Sequence, residues 1–578
     1  MKWIWLFFIF FLFQLTFGQK TVFTLEVINN SNSSLFEQQI KKRSYSSVKK
    51  IADRLKEIQA ELIREGFLTA NIDSIHIDSS THVVTAFLYT GEQYSWAQLN
   101  PGKVDEGVLS KIGFRDRLYN NRKFEPYKLN QLFSALMDYY ENNGYPFASI
   151  RLDSTVFNSD GISANIAVET GPFIIIDTIV ISGDANISDN YIQSYIGIKP
   201  NQPYSEQKFE EISNRIAEIP FVKETGSAEI LFTEDKARLE LFLTKEQASS
   251  FNGVIGFQPD DETGRITITG DVDLDLKNVL RAGEELSLNW SRIDSGTQEL
   301  AVSLSIPYLF RTPLGVQGDL NIYRRDTTYN NVTLEGAIQY YFKRGNYIEG
   351  FIENQTSNLI STEGFENYED LPANSSTKRT SYGLGYHATH LDYRYNPTKG
   401  ISFDASFSVG EKEIIPESTY ENLQYDTLEL VSTQFNIETD ISYYIPLFPQ
   451  TTLKLRAQAA HIENDQLFTN ELYLIGGLKT LRGFDEQAIF ASSYAIPSIE
   501  FRYLLEKNSY LAAFFDYAWY ERKTVTEYTS DTPFGFGAGL SFQTNAGVFS
   551  LFYALGKQFN NPIEFRSGKI HFGFASLF

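Results

Sequence analysis

RITITGDVDLDL, residues 265–276, alternates between two kinds of side chain at every position. The even positions hold isoleucine, glycine, valine or leucine, whereas the odd positions hold arginine, threonine or aspartate. Because successive side chains of a β-strand point to opposite faces, the segment predicts a strand with one face suited to hydrocarbon and the other to water. The same period of two recurs at residues 299–306 and 453–459.

Sixteen segments of this kind can be counted between Phe251 and Phe578. Short turns alternate with long polar loops, such as residues 357–378 and 411–429. A soluble sandwich also alternates, but an even strand count with short and long connections in turn favours a transmembrane β-barrel. Aromatic residues make up 15% of the chain, enough for the aromatic girdles of such a barrel.

The N-terminus predicts a secretory signal peptide, residues 1–18. A basic start precedes an apolar run from Trp3 to Phe13, and the small residues Thr16 and Gly18 suit a cleavage site. An uncleaved anchor is the alternative. No later segment approaches ~18 consecutive apolar residues, so we expect no transmembrane helix in the mature chain.

Composition excludes several classes of function. The chain has no cysteine, which rules out disulfides, thiolate metal sites, cysteine nucleophiles and an acylated cysteine. Its net charge of −22 argues against a nucleic-acid partner, which would require a basic face.

The N-terminal half contains a repeat of about eighty residues. Residues 46–65 predict an amphipathic helix followed by two strands, and a similar helix at residues 129–143 is again followed by two strands. Gly66 and Gly144 are 78 residues apart, and Gly91 and Gly171 are 80 apart. Matching offsets at two landmarks indicate an internal repeat. A third copy begins at residue 174, with a helix expected around residues 206–217.

The second and third copies resemble a known module. NGYPFASI (143–150) and VETGPFIIIDTIVISGD (168–184) are similar to POTRA, the polypeptide-transport-associated domain. Three generic α+β domains are the alternative. The sequence patterns and this resemblance together predict a signal peptide at 1–18, POTRA-like domains at 19–97, 98–173 and 174–246, and a 16-stranded antiparallel transmembrane β-barrel at 250–578.

GGLKTLRGFDE, residues 476–486, interrupts the strand pattern between the eleventh and twelfth segments. Leu481-Arg482-Gly483-Phe484, preceded by Gly476-Gly477, resembles the RGF-type motif in the sixth outer loop of the BamA/TamA superfamily of outer-membrane assembly factors. The resemblance implies that this loop folds back inside the barrel, where its glycines allow close packing. It also implies that Arg482 pairs with Asp516 in the stretch Phe514–Ala518, where Ala518 replaces the family's glycine.

Three further features enter through the same resemblance. Asp392, Pro397 and Gly400 match a D-x4-P-x2-G turn motif, and the C-terminal Phe578 resembles the sorting signal of outer-membrane barrels, although Ser576 departs from that pattern. The family's lateral gate would lie between the first and last strands. The glycines expected to weaken that seam are Gly253, Gly256, Gly568 and Gly573.

Other constellations are better explained by structure than by chemistry. His387 and His390 are three residues apart, so on a strand they point to opposite faces and cannot share a metal. Gly535, Gly537 and Gly539 lack the helix of a nucleotide loop and are expected to leave space in the barrel lumen. Asp271, Asp273 and Asp275 share one strand face and predict an acidic lumen wall. We therefore expect no catalytic set, metal or cofactor.

The resemblance implies an outer-membrane assembly or translocation factor, closer to the TamA than to the BamA branch, with its POTRA domains in the periplasm. Its partners would be client outer-membrane proteins, outer-membrane lipid, and a TamB-like bridge protein or accessory proteins. POTRA edge strands would capture client strands, and the lateral gate would insert them. A two-partner-secretion exporter of a soluble client and a passive outer-membrane pore are the alternatives.

Overall fold

The computed structural model describes residues 23–29, 43–259, 266–292, 296–342, 345–361, 372–393, 396–416, 428–544, 547–559, 561–563 and 565–577. The predicted signal peptide and Phe578 lie outside these ranges. The chain divides into two compact units. One extends to Asp177 and also includes Asn201–Gln207 and Phe232–Ala237; the other holds Thr178–Pro200, Lys208–Leu231 and Arg238–Phe578.

The first sheet covers a single long helix. Strands β1 (Phe23–Asn29), β2 (Arg43–Tyr45), β3 (Asn71–Asp78) and β4 (Val83–Tyr89) lie in the order β2-β1-β4-β3. Helix α1 (Val48–Arg64) begins after Ser47, whose hydroxyl accepts a hydrogen bond from the backbone N–H of Lys50. Ile51, Leu55 and Leu62 bury its apolar stripe against the sheet. The helix predicted at residues 46–65 is thus confirmed.

The second sheet repeats this plan. Strands β5 (Ser95–Asn100), β6 (Arg122–Lys123), β7 (Ser149–Asn158) and β8 (Gly161–Glu169) lie in the order β6-β5-β8-β7, with helices α2 (Glu106–Lys111) and α3 (Pro126–Glu141). The repeat extends to single backbone angles. Gly66 and Gly144 have φ values of +92° and +93°, and Gly91 and Gly171 have +67° and +69°. These are left-handed conformations that favour glycine, so the landmarks recur because the backbone requires them.

The third sheet has the strand order β10-β11-β9. Its strands are β9 (Ile175–Ser182), β10 (Val222–Phe232) and β11 (Lys236–Lys245), and its helices are α4 (Asp189–Ile196), α5 (Glu206–Glu210) and α6 (Ile212–Ile216). The single helix expected around residues 206–217 is wrong, because the chain forms two short helices there. Helix α4 precedes them and ends at Gly197, whose φ is +72°.

Twenty further strands follow. They are β12 (Ser250–Pro259), β13 (Ile266–Lys277), β14 (Glu285–Arg292), β15 (Gln298–Ile306), β16 (Leu314–Arg325), β17 (Tyr329–Tyr341), β18 (Tyr347–Leu359), β19 (Ser376–Leu391), β20 (Gly400–Ile415), β21 (Val431–Phe448), β22 (Thr451–Glu463), β23 (Tyr473–Ile475), β24 (Ile489–Ala491), β25 (Ser493–Glu506), β26 (Ser509–Tyr517), β27 (Trp519–Lys523), β28 (Tyr528–Asp531), β29 (Phe534–Thr544), β30 (Gly547–Lys557) and β31 (Lys569–Leu577).

These strands build an antiparallel barrel, closed between β31 and β12. Strands β23 and β24 pair only with each other, β27 continues β26, and β28 leads into β29. The wall therefore has the sixteen strands predicted from the sequence. We call the end of the barrel where β31 meets β12 the turn end, and the opposite end, where the long connections lie, the loop end.

The two faces of the wall differ as the alternation predicts. On β17, Leu334 and Ile338 are 55% and 64% exposed, whereas Gln339 is fully buried inside. The predicted loops 357–378 and 411–429 are too long, because β18 and β19 extend into the first and β20 into the second. Backbone pairing continues there between polar side chains. Among the described residues, no helix has the length and apolar character needed to cross a bilayer.

Candidate functional site

The segment between β22 and β25, which we call the plug loop, lies where the sequence predicted it. It comprises residues 464–492 and lies against the inner wall. Gly476, Gly477 and Gly483 have φ values of +120°, +93° and +95°, which favour glycine. A Cβ atom on Gly535 of β29 would overlap the carbonyl oxygen of Arg482, and one on Gly556 of β30 would lie 2.5 Å from that of Gly483.

The glycines of β29 and β30 therefore leave room for the backbone of the plug loop. Gly535 serves the purpose that the sequence suggested, leaving space in the lumen. Gly556 was missed, because a lone glycine in a strand carries no signal for a partner that is remote in sequence.

Arg482 is the centre of the site. Its Nε and Nη2 each donate to a carboxylate oxygen of Asp516 at 2.7 Å, and its backbone N–H donates to the same group at 3.2 Å. The guanidinium lies 3.6 Å from the ring centroid of Phe514. Asp516 is completely buried, so its charge depends on this bidentate pairing.

A second carboxylate, missed by the sequence analysis, completes the site. Glu500 of β25 accepts from Nη1 of Arg482 and, at 2.7 Å, from Nε of Arg502. It is 5% exposed. Two arginines and two carboxylates thus alternate within the lumen, which balances charges that would be costly to bury alone.

The first part of the plug loop is anchored at the loop end. Nζ of Lys412 donates to Glu471 at 2.6 Å and to the carbonyl oxygen of Gln466 at 2.5 Å. Lys412 is fully buried. Asn470 donates to the hydroxyl of Ser357 at 2.6 Å and to the carbonyl oxygen of Ser375 at 2.7 Å. The loop is therefore tied to β18 and β20 as well as to the strands around Arg482.

The seam between β12 and β31 is the shortest ladder between barrel strands that run the length of the wall. Ser250 pairs with Leu577 and Phe251 with Ser576, whereas β12 forms ten pairs with β13 and β31 forms seven with β30. The two pairs lie at the turn end. Among the described residues, no other residue of β12 pairs with a residue of β31.

The predicted gate glycines lie beyond the paired residues. Gly253 and Gly256 belong to β12 and Gly573 to β31, but Gly568 precedes β31, so its prediction as a strand residue is wrong. A Cβ on Gly568 would overlap the hydroxyl group of Tyr553, so this glycine instead makes room for a side chain of β30. The structure describes the backbone of Gly256 but not its surroundings.

The predicted turn motif joins β19 to β20; its residues 394–395 are outside the described ranges. Asp392 accepts from the backbone N–H groups of Tyr393, Thr398 and Lys399 at 2.9, 2.9 and 3.0 Å. Burial opposes ionisation of Asp392, but these hydrogen bonds and that of the Thr398 hydroxyl prevail and lower its pKa. Gly400 has φ +122°, and Pro397 is buried.

A cavity of about 1440 Å³ lies at the turn end, lined by α4, barrel turns and the inner wall. Tyr308, in the turn between β15 and β16, has φ +53° and is 4% exposed. Its ring centroid lies 5.6 Å from that of Tyr191 on α4 and 5.0 Å from that of Tyr341 on β17. The series continues through Tyr347 to His387 at steps of 5.2 and 5.0 Å.

Hydrogen bonds also hold α4 against the barrel turns. Asn190 donates to the carbonyl oxygen of Tyr308 at 3.0 Å, and the backbone N–H of Ser188 donates to the carbonyl oxygen of Arg281 at 2.9 Å. His387 is bound to Asp404 on the neighbouring strand.

Within the described ranges, no group of three or more histidine, aspartate or glutamate side chains is arranged to hold a metal ion.

Comparison with known proteins gives two family matches. Residues 278–578 match the Omp85 superfamily domain, and residues 174–243 match the surface antigen variable number repeat, POTRA. A candidate outer membrane protein assembly factor of Treponema pallidum (strain Nichols) is 23% identical over 355 residues, 58% of this chain and 39% of that protein. The chain thus spans about two fifths of the length of this curated relative.

Solved structures of outer-membrane proteins are among the matches. CdiB from Escherichia coli has a TM-score of 0.58 at 16% identity, over 92% of this chain and 98% of that one. BamA from Haemophilus ducreyi lacking POTRA domains 1–3 has a TM-score of 0.44 at 16% identity, over 84% of this chain and 100% of that one.

Proposed function

Because the chain belongs to the Omp85 superfamily, we propose that it assembles client β-barrel proteins into an outer membrane. Its central step would be opening of the barrel between β12 and β31. The chemistry is non-covalent, since hydrogen bonds are exchanged between strand edges and no bond is made or broken. No catalytic residue or cofactor is required.

The short seam carries this proposal. Among the described residues, two pairs join β12 to β31, and both lie at the turn end. An unpaired strand edge offers a row of N–H and C=O groups to which another strand can add. Parting the seam would therefore cost few hydrogen bonds and would present two edges as templates for a client strand.

The N-terminal sheets would serve as the receiving part. Strand β3 lies at the edge of the first sheet and β7 at the edge of the second. Each could bind an extended client segment by β-augmentation. In this arrangement the first two sheets and their helices are further POTRA domains, and the whole POTRA region lies in the periplasm. A TamB-like bridge protein, as in the TamA branch, and accessory proteins would deliver clients.

A disulfide across the seam tests the proposal. Phe251→Cys with Ser576→Cys places two thiols at a paired position. Opposed residues of an antiparallel ladder lie about 4.5–5.5 Å apart at Cα, within the range of a disulfide. No native cysteine competes. Oxidised protein should fail to assemble a client barrel in lipid vesicles, and reductant should restore activity.

A matched lock controls for the effect of a disulfide itself. Leu551→Cys with Phe572→Cys bridges β30 to β31, a pair that does not have to part. This variant should remain active when oxidised. Assembly by fully oxidised seam-locked protein would overturn the proposal and favour a two-partner-secretion type exporter, which passes a soluble client through the lumen, or a passive pore.

A further inference from the structure

Asn396, in the turn motif, is buried and uses both ends of its amide. It is 4% exposed. Its Nδ2 donates to the carbonyl oxygen of Lys507 in the neighbouring turn at 3.0 Å, and its Oδ1 accepts from Nη1 of Arg502 at 2.9 Å. The two opposite hydrogen bonds fix the orientation of the amide.

Arg502 joins this turn to the site around Arg482. Its Nε donates to one oxygen of Glu500 at 2.7 Å, and the other oxygen of Glu500 binds Arg482. The guanidinium carbon of Arg502 also lies 4.8 Å from the ring centroid of Tyr510 and 5.6 Å from that of Tyr444. Hydrogen bonds in the plane of the guanidinium and nearby rings leave it little freedom.

The turn is also part of the cavity wall at the turn end. Asp392, Tyr393 and Lys507 line that cavity. Nζ of Lys507 lies 4.0 Å from the ring centroid of Tyr393. A molecule in the cavity would therefore touch the turn beside Asn396, at the end of the chain of contacts that leads to Arg482.

We propose that Asn396 is a positioning residue for the plug loop. It orients Arg502, Arg502 fixes Glu500, and Glu500 holds Arg482 together with Asp516. The turn motif and the RGF-type motif are thus two ends of one buried network. This inference goes beyond the proposed function, because it concerns the position of the loop and holds whether the barrel assembles clients or exports them.

A single reporter thiol tests the coupling. Leu481 precedes Arg482 and is fully buried, so Leu481→Cys reacts with a maleimide only when the loop leaves the wall. The full-length protein is labelled in lipid vesicles. We expect Asn396→Ala to raise the labelling rate roughly tenfold, because losing a hydrogen bond to a charged group shifts an equilibrium by about that factor. Arg482→Ala is the positive control.

Three variants separate positioning from a general loosening of the barrel. Asn396→Asp keeps an acceptor for Arg502 and should label slowly, as the unmodified turn does. Asn508→Ala removes a similarly buried asparagine at the turn end, whose Nδ2 binds Gln543 at 3.0 Å rather than Arg502. It should leave labelling unchanged. Arg502→Lys, which cannot reach Glu500 and Asn396 with one planar fork, should raise it without any change to the turn.

The double variant gives the decisive comparison. If Asn396 acts through Arg482, then Asn396→Ala combined with Arg482→Ala should label no faster than Arg482→Ala alone. Additive rates would overturn the proposal. So would Asn396→Ala labelling as slowly as Asn508→Ala, or Asn396→Asp labelling as fast as Asn396→Ala. Should Asn396→Ala fail to fold, Arg502→Lys labelling at the unmodified rate would overturn it equally.

Discussion

Gly535 of β29 lies directly against the carbonyl oxygen of Arg482, so that a single added methyl group would overlap that oxygen. We expect Gly535→Ala to displace the plug loop and to destabilise the barrel by about 1–3 kcal/mol, as overpacking commonly does. The loss can be measured as a shift in the urea unfolding midpoint and as faster proteolysis within residues 476–486. Gly336→Ala, where nothing lies within 4 Å of the added atom, is the control. Equal behaviour of the two variants would contradict close packing at Gly535.

Removal of either member of the Arg482–Asp516 pair should abolish function while the barrel still reaches the membrane. Taking away one partner of a shielded pair costs roughly 3–5 kcal/mol, because the other charge remains buried. The double variant Arg482→Ala/Asp516→Ala should be no worse than either single variant. A double-mutant cycle of client assembly tests this, and fully additive losses would disprove the pairing.

Arg482→Lys should be almost as damaging as Arg482→Ala. A lysine keeps the charge but cannot make the two parallel hydrogen bonds to Asp516 or lie flat 3.6 Å from the ring centroid of Phe514. Client assembly measured at equal amounts of folded barrel provides the comparison. Wild-type activity in Arg482→Lys would show that charge alone suffices.

Lys412→Ala should destabilise the loop end by roughly 3–5 kcal/mol, because Glu471 would keep a charge at 7% exposure without its cation. Lys523→Ala is the matched control: its partner Asp465 is also in the plug loop, but the two side chains are 49% and 87% exposed. An exposed pair contributes about 0–1 kcal/mol. Denaturant unfolding of both variants should differ accordingly, and similar shifts would contradict the assigned burial.

Tyr308→Ala should free α4 from the barrel turns, whereas Tyr308→Phe should not. The ring of Tyr308 lies against α4, with its centroid 5.6 Å from that of Tyr191 and 6.2 Å from that of Tyr195, and burial of the side chain raises the pKa of Tyr308. Spin labels at Gln193 and at the exposed Leu280 report the distance. A broad distance distribution for Tyr308→Ala and a narrow one for Tyr308→Phe are expected. Broadening in both would assign the effect to the hydroxyl.

How far the sequence could predict this molecule depends on whether a feature is local. The period of two persists along each strand without reference to a partner, so the number of wall strands and the place of the plug loop could be predicted. The extent of β18 to β20 could not, because backbone pairing continues where the side chains have become polar. Gly568 was misplaced at a strand end for a similar reason, since boundaries follow pairing.

The residues of the site also divide into those that could be predicted from the sequence and those that could not. Arg482 and Asp516 could be paired in advance only through a family resemblance. Glu500 could not be predicted, because which inward-facing charges meet depends on the register of β25 and on the path of the loop. Asn396 occupies an unspecified position of the D-x4-P-x2-G motif, so the motif does not single it out. Its role depends on Arg502, more than a hundred residues away.

The short seam also bears on how the protein itself folds. Nearly all neighbouring wall strands are consecutive in the chain and can pair locally, whereas Ser250 and Leu577 lie more than three hundred residues apart. Bringing them together has the largest loop-closure entropy cost in the barrel, and among the described residues it forms two residue pairs. We therefore expect ring closure to be the final folding step, preceded by a curved open sheet with two free edges. An opened gate would then be a return to the protein's own last folding intermediate.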